Sequence, residues 1–167
     1  MNTLLATLCS HLNLKPEHTA LLQERDTSDI WRQFAIWLLV DEEHGVIRFT
    51  NPGSLQYNAI LQVADLYIDD YQNKKVWKDA EKEARAVAES IRDEGNIFSA
   101  VYSAVCAACC AAYFNAGLSA GLAATAYGAD AVASNLSYYD AYDAHFERMV
   151  DKLIELLQEA PMITTNK

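Results

Sequence analysis

A chain of 167 residues with 51% hydrophobic side chains is long enough to enclose a sizeable core, which excludes a disordered chain and makes a single domain the expectation. Its 23 acidic side chains outnumber 13 basic ones, for a formal charge of −10. That balance argues against direct contact with nucleic acid or an anionic membrane, and for a basic partner.

Leu4, Leu5, Leu8 and Leu12 share one side of the segment from Thr3 to Leu12, which predicts a short amphipathic helix ending near Asn13. Pro16 suits the first turn of a second helix, with Ala20, Leu21 and Leu22 as its apolar side. Thr27 or Ser28 is placed to cap a third helix, with Asp29 at its positive end. That helix, Ile30 to Val40, is apolar on almost every side and has only Arg32 and Gln33 as a wet edge, so it is expected to lie centrally. Asp41 to Gly45 ends it, with Gly45 expected in the left-handed conformation. Val46 to Phe49 is β-prone and reads as an extended connector laying Ile47 and Phe49 on the core. From Ser54 a helix repeats Ile60, Val63, Ala64, Tyr67 and Tyr71 at helical spacing and turns Asp65, Asp69, Asp70 and Gln72 to water. A basic break at Asn73 to Lys75 precedes a helix from Val76 to about Arg92, with Trp77, Ala80, Ala84, Val87, Ala88 and Ile91 inward and a salt-laced outer face.

The stretch from Ile97 to Ala129 carries no charge, and alanine recurs every fourth position at Ala100, Ala104, Ala108, Ala112, Ala116, Ala120 and Ala124. Residues four apart form one ridge of a helix, so this row lets a neighbouring helix lie close. Gly117 and Gly121 predict a break between a helix of about Ile97 to Ala116 and another starting near Leu118 or Ser119, or else a bend. The ridge can pack within the chain or form a homodimer seam, since both bury the same face. It is long enough to cross a bilayer. Membrane insertion is nevertheless not expected, because small residues dominate, Asn115 lies mid-way and the flanks are acidic. The first residues lack the basic region of a secretory signal, so a cytoplasmic setting is expected. From Tyr142 a last helix carries Phe146, Met149, Val150, Leu153, Leu157 and Ala160 inward until Pro161 ends it. The whole pattern predicts an all-α fold, a compact multi-helix bundle around an alanine-rich helical hairpin, with one domain over 1–161 and a loose tail over 162–167.

Chemistry is sparse. His11, His18, His44 and His145 are scattered, and neither a phosphate loop nor a nucleophile elbow occurs, so no enzyme, catalytic residue or cofactor is expected. Cys106, Cys109 and Cys110 resemble half of a metal site without its second half. With Cys9 they are expected to be reduced core thiols, with no metal. Asp41 to His44 reads as a solvated helix end. The suggestive polar groups are Tyr138 to Glu147, with Tyr139, Asp140, Tyr142, Asp143 and Glu147 as candidate partner-binding residues, and Asp65 to Tyr71, with Asp65, Asp69 and Asp70. Carboxylates among phenols pair with Arg and Lys while the rings stack on guanidinium groups. Alternatively the tyrosines pack inward and the carboxylates only solubilise.

The residues FAIWLLVDEEHGVIRF from Phe34 to Phe49, VADLY from Val63 to Tyr67 and DKLIELLQEAP from Asp151 to Pro161 resemble a group of phage- and prophage-encoded proteins. Members of that group join an N-terminal globular part to an alanine-rich helical section and a closing leucine-rich helix. The resemblance implies no catalytic residue. By analogy it implies an acidic host-defence inhibitor that occupies a basic nucleic-acid-binding surface of a CRISPR-Cas or restriction system, with DNA mimicry as one route. The alternative is an immunity-type or phage-internal module with one cognate partner and no role in defence.

Overall fold

In the computed structural model, which describes residues 3–164, the chain is all-α and no strand occurs among the described residues. Helix α1 (Thr3–His11) turns Leu5, Leu8 and Cys9 inward. The single turns α2 (Pro16–Thr19) and α3 (Leu21–Glu24) lead to α4 (Ile30–Val40), which buries Ile30, Trp31, Phe34, Ala35, Leu38 and Leu39. Asp29, not Thr27 or Ser28, holds the cap position of α4, and it makes no side-chain cap bond. Its carboxylate instead grips Arg32 at 2.6 and 2.9 Å.

Gly45 departs from its expected left-handed geometry, with φ at −68°. The reason for glycine is space: a Cβ there would stand 2.5 Å from the backbone nitrogen of Asp41. Val46–Phe49 forms a 3-10 helix rather than an extended connector. No neighbouring strand offers hydrogen bonds, so the segment satisfies its own backbone locally, through Arg48 N–H to Gly45 and Thr50 N–H to Ile47. Val46 is fully buried, while Ile47 and Phe49 pack half-buried on the core.

Side-chain caps set the later starts. Ser54 caps α5 (Leu55–Ile68), Asn73 caps α6 (Lys74–Asp93), Ser99 caps α7 (Ala100–Ala112), Asn115 caps α8 (Ala116–Ala133) and Ser137 caps α9 (Tyr138–Glu159). Thus α9 begins before the expected Tyr142, and α5 stops before Tyr71. The ends share one device. After α1, α5, α6, α7 and α8 a residue turns left-handed, namely Asn13, Asp70, Gly95, Phe114 and Asn135, with φ of 52°, 48°, 82°, 64° and 58°. Crossed backbone bonds close each turn, as where Asn135 N–H donates to Val132 at 3.0 Å and Leu136 N–H to Ala131 at 2.8 Å.

The alanine ridge is buried inside the single chain. Helices α7 and α8 pack along each other, and Ala104, Ala108, Ala112, Ala116, Ala120 and Ala124 all lose essentially their whole surface. Ser119 Oγ, buried between them, donates to the Ala107 carbonyl at 2.8 Å. The break between the helices falls at residues 113–115 rather than at the glycines. Gly117 and Gly121 lie within α8 and receive His11 of α1, whose Nε2 would stand 3.1 Å from a Cβ at Gly121. Gly128 likewise makes room for the Tyr138 ring, 2.5 Å from where a Cβ would be. These glycines are landing sites for side chains, not helix breakers.

Helices α5 and α6 cover α7, while α1 and α9 cover α8. Helix α4 packs between α5 and α9 and reaches the hairpin, as its apolar circumference requires. Beyond α9, Asp26 N–H donates to the Pro161 carbonyl at 2.7 Å and Ile163 N–H to Glu24 at 3.0 Å, while Arg25 Nη1 reaches the Ala160 carbonyl at 2.9 Å. Met162 and Ile163 are therefore clasped to α3, Thr164 is exposed, and 165–167 of the expected tail lie outside the described residues. No helix among the described residues is long and apolar enough to cross a membrane.

Candidate functional site

The acidic residues singled out in the sequence fall on two separate surfaces. On α9, Tyr138, Tyr142 and Phe146 follow one another at every fourth position and stack at 6.0 and 6.4 Å with planes 21° apart. This ladder faces α8 over Gly128, so Tyr142 is half-buried packing. Asp140, Asp143 and Glu147 lie off this face and are exposed, while Tyr139, also exposed, meets the Tyr138 ring edge-on at 5.4 Å. None of these carboxylates joins an ion pair among the described residues. Asp140 has a second duty at the α9 start, where its N–H donates to Ser137 Oγ and its charge meets the helix dipole.

Asp65, Asp69 and Asp70 are exposed at the end of α5. There Trp31 Nε1 donates to Tyr67 Oη at 3.0 Å and Arg32 Nη1 to the Tyr67 carbonyl at 3.2 Å, which ties them to the start of α4. The α9 group sits at the far end of α4, where Trp37 stacks parallel to His145 at 6.1 Å. The two groups thus belong to different helices, α5 and α9, tied to opposite ends of α4.

At the α5 end lies a feature that the sequence reading did not assemble. The starts of α4 and α6 and the ends of α5 and α7 enclose a cleft of about 570 Å³ lined by Trp31, Tyr67, Tyr71, Trp77, Tyr113 and Phe114. Tyr67 meets Trp77 edge-on at 4.6 Å, and Trp77 meets Phe114 at 5.0 Å. The polar atoms of these rings are engaged: Tyr67 Oη donates to the Ala111 carbonyl at 2.6 Å, and Trp77 Nε1 to the Tyr71 carbonyl at 2.8 Å. Burial pushes the Tyr67 hydroxyl above its usual range, so it stays protonated. The rim carries Arg32, Lys74 and Lys78 together with Asp29, Asp70 and Glu81. The Arg32 hydrogen bond holds the Asp29 carboxyl below its usual range. The signals for this cleft were the basic run at Lys74 and Lys75 in an acidic chain and aromatic residues just past two helix ends. A hollow between α1 and residues 161–164 is larger, about 1580 Å³, but has no aromatic side chain on its described walls.

The thiols point in different directions. Cys109 Sγ lies 3.8 Å from the Glu81 carbonyl, while Cys110 Sγ lies 3.4 Å from Tyr113 Oη. Burial pushes Cys9 and Cys109 up to about 11, and no group of three His, Cys, Asp or Glu among the described residues could hold a metal ion. Asp41 accepts from the backbone N–H groups of Glu43 and His44, so its carboxylate serves the turn after α4. His145 is fully buried between Trp37 and Tyr127, facing away from the acidic stripe. Compared with protein-family models, with curated proteins and with solved structures, the chain matches none.

Proposed function

We propose that the protein acts by binding rather than by catalysis, and that the α8–α9 end docks on a basic surface of a host nucleic-acid-processing protein. The setting is that of a phage-encoded inhibitor of a CRISPR-Cas or restriction system, acting in the host cytoplasm. One observation carries the reading. Around the turn between α8 and α9, Val132, Leu136 and Tyr139 are 55%, 67% and 75% exposed, beside the unpaired carboxylates of Asp140, Asp143 and Glu147. An apolar, aromatic centre bordered by charge is the anatomy of a protein interface. The carboxylates recur at three- and four-residue spacing, so they follow one side of α9 and can steer a basic partner, imitation of nucleic-acid charge being one form of this. A homodimer would have to use a face other than the alanine ridge, which is filled within the chain.

The exposed Leu136 and Tyr139 also favour a second reading, an immunity-type or phage-internal module whose contact with one cognate partner depends on shape more than charge. Purified defence effectors titrated over a salt series separate the two. In the first reading, affinity falls as ionic strength rises, and Asp143→Lys with Glu147→Lys weakens binding further. Asp140 is left unchanged in this variant because it also supports the helix start. Unchanged affinity and unchanged salt dependence would sink the electrostatic mechanism, and loss of binding on Leu136→Ser together with an affinity that salt does not alter would favour the second reading.

A further inference from the structure

We propose that the cleft between the ends of α5 and α7 is a binding site for a small planar aromatic anion, a ring system carrying a carboxylate, sulfonate or phosphate. The floor of the cleft is π surface, and the hydrogen-bonding atoms of Trp31, Tyr67 and Trp77 are already used within the fold. Such a floor offers a flat ring stacking and edge contacts but no polar exchange. The volume of about 570 Å³ lies within the range of small-molecule sites.

Phe114 adds an independent indication. It occupies the left-handed position that ends α7, at φ 64°, where α6 and α8 place Gly95 and Asn135. A bulky side chain is unfavourable there, and residues held in such geometry cluster at binding sites. Its ring closes one wall of the cleft, 5.0 Å from Trp77 and 6.2 Å from Tyr67, and is 41% exposed, part of that toward a shallower hollow beside α1.

Charge selects the class of ligand. Among the rim carboxylates, Asp29 is engaged by Arg32 and Glu81 by Arg85, while Asp70 accepts from Gln72. Lys74 and Lys78, one helical turn apart, join no ion pair among the described residues. Once Arg32 is paired with Asp29 and Glu81 with Arg85, two lysines against the single Asp70 carboxylate remain at this aromatic hollow, a local positive excess in a chain with a charge of −10. An aromatic anion stacks on the rings and pairs with the lysines, whereas an aromatic cation would meet both lysines with only Asp70 to offset them.

Titration of the full chain with anilinonaphthalene sulfonate, indole acetate and adenosine monophosphate, against neutral N-phenylnaphthylamine, tests the site by fluorescence and distinguishes the anionic group preferred. Saturable binding of at least one anion, about tenfold tighter than the neutral ring, is expected. Lys78→Glu, on an exposed helix surface, should abolish that preference. Phe114→Gly should weaken binding by about tenfold while the melting temperature holds or rises, because glycine suits the left-handed position. Absence of saturable binding, equal affinity for the neutral ring, or affinity unchanged by Lys78→Glu overturns the proposal.

Discussion

His145 has both ring nitrogens buried without a hydrogen-bond partner among the described residues, a rare state for a polar group. Its ring lies 3.8 Å from Tyr127 and nearly parallel to it, with Trp37 on the other side. Burial lowers its pKa from 6.5 to about 3, helped by the positive charges of Arg148 and Arg48 and by His44. The histidine is therefore neutral in the folded chain and protonates only when it unfolds. Between these two values the unfolded state binds the extra proton, so stability is intact above about pH 6.5 and declines as pH falls toward 3. The slope from this one group is about 1.4 kcal/mol per pH unit. Urea denaturation at pH 7 and pH 5 should show a loss of about 2 kcal/mol that His145→Phe, which keeps the ring stack and removes the titration, does not share. Equal acid sensitivity in the variant would assign the effect to other groups.

At the scale of elements, close packing of the α7–α8 hairpin depends on methyl-sized side chains, with Ala108 at 0% exposure between its neighbours. Ala108→Leu should cost on the order of 1 to 3 kcal/mol by overpacking, read as a lowered midpoint in chemical denaturation with an unchanged helical spectrum at low denaturant. The hairpin was legible because small residues at a fixed period have one main use. The place of its turn was not, since Gly117 and Gly121 look like breakers until His11 is seen lying across them, and only the three-dimensional fold brings α1 there. Val46 to Phe49 misled similarly: β-branched and aromatic residues favour a strand only where a partner strand exists. The acidic stripe on α9 could be read from spacing because exposure of charge is a local preference. The cleft could not, because Trp31, Tyr67, Trp77 and Phe114 belong to different helices and meet only through the packing of α4, α5, α6 and α7.

Across the whole molecule, neighbours in sequence are mostly neighbours in space, as α4 on α5, α5 on α6, α6 on α7, α7 on α8 and α8 on α9 show. The chief exceptions are α5 on α7, α1 on α8, α4 on α9 and the clasp in which Arg25 holds the Ala160 carbonyl beside the paired Met162. Loops between successive helices close early at little entropic cost, whereas the clasp joins positions separated by most of the chain. Stopped-flow kinetics should accordingly show fast folding, and Arg25→Ala should destabilise by about 1 kcal/mol. That loss should appear almost entirely as faster unfolding, with the refolding rate nearly unchanged. A matching drop in the refolding rate would place the clasp in the folding nucleus instead. On this account the contact between residues 24–26 and 160–163 works as a latch: it has little part in how the helices find one another, and it sets how long the assembled bundle survives before it first opens.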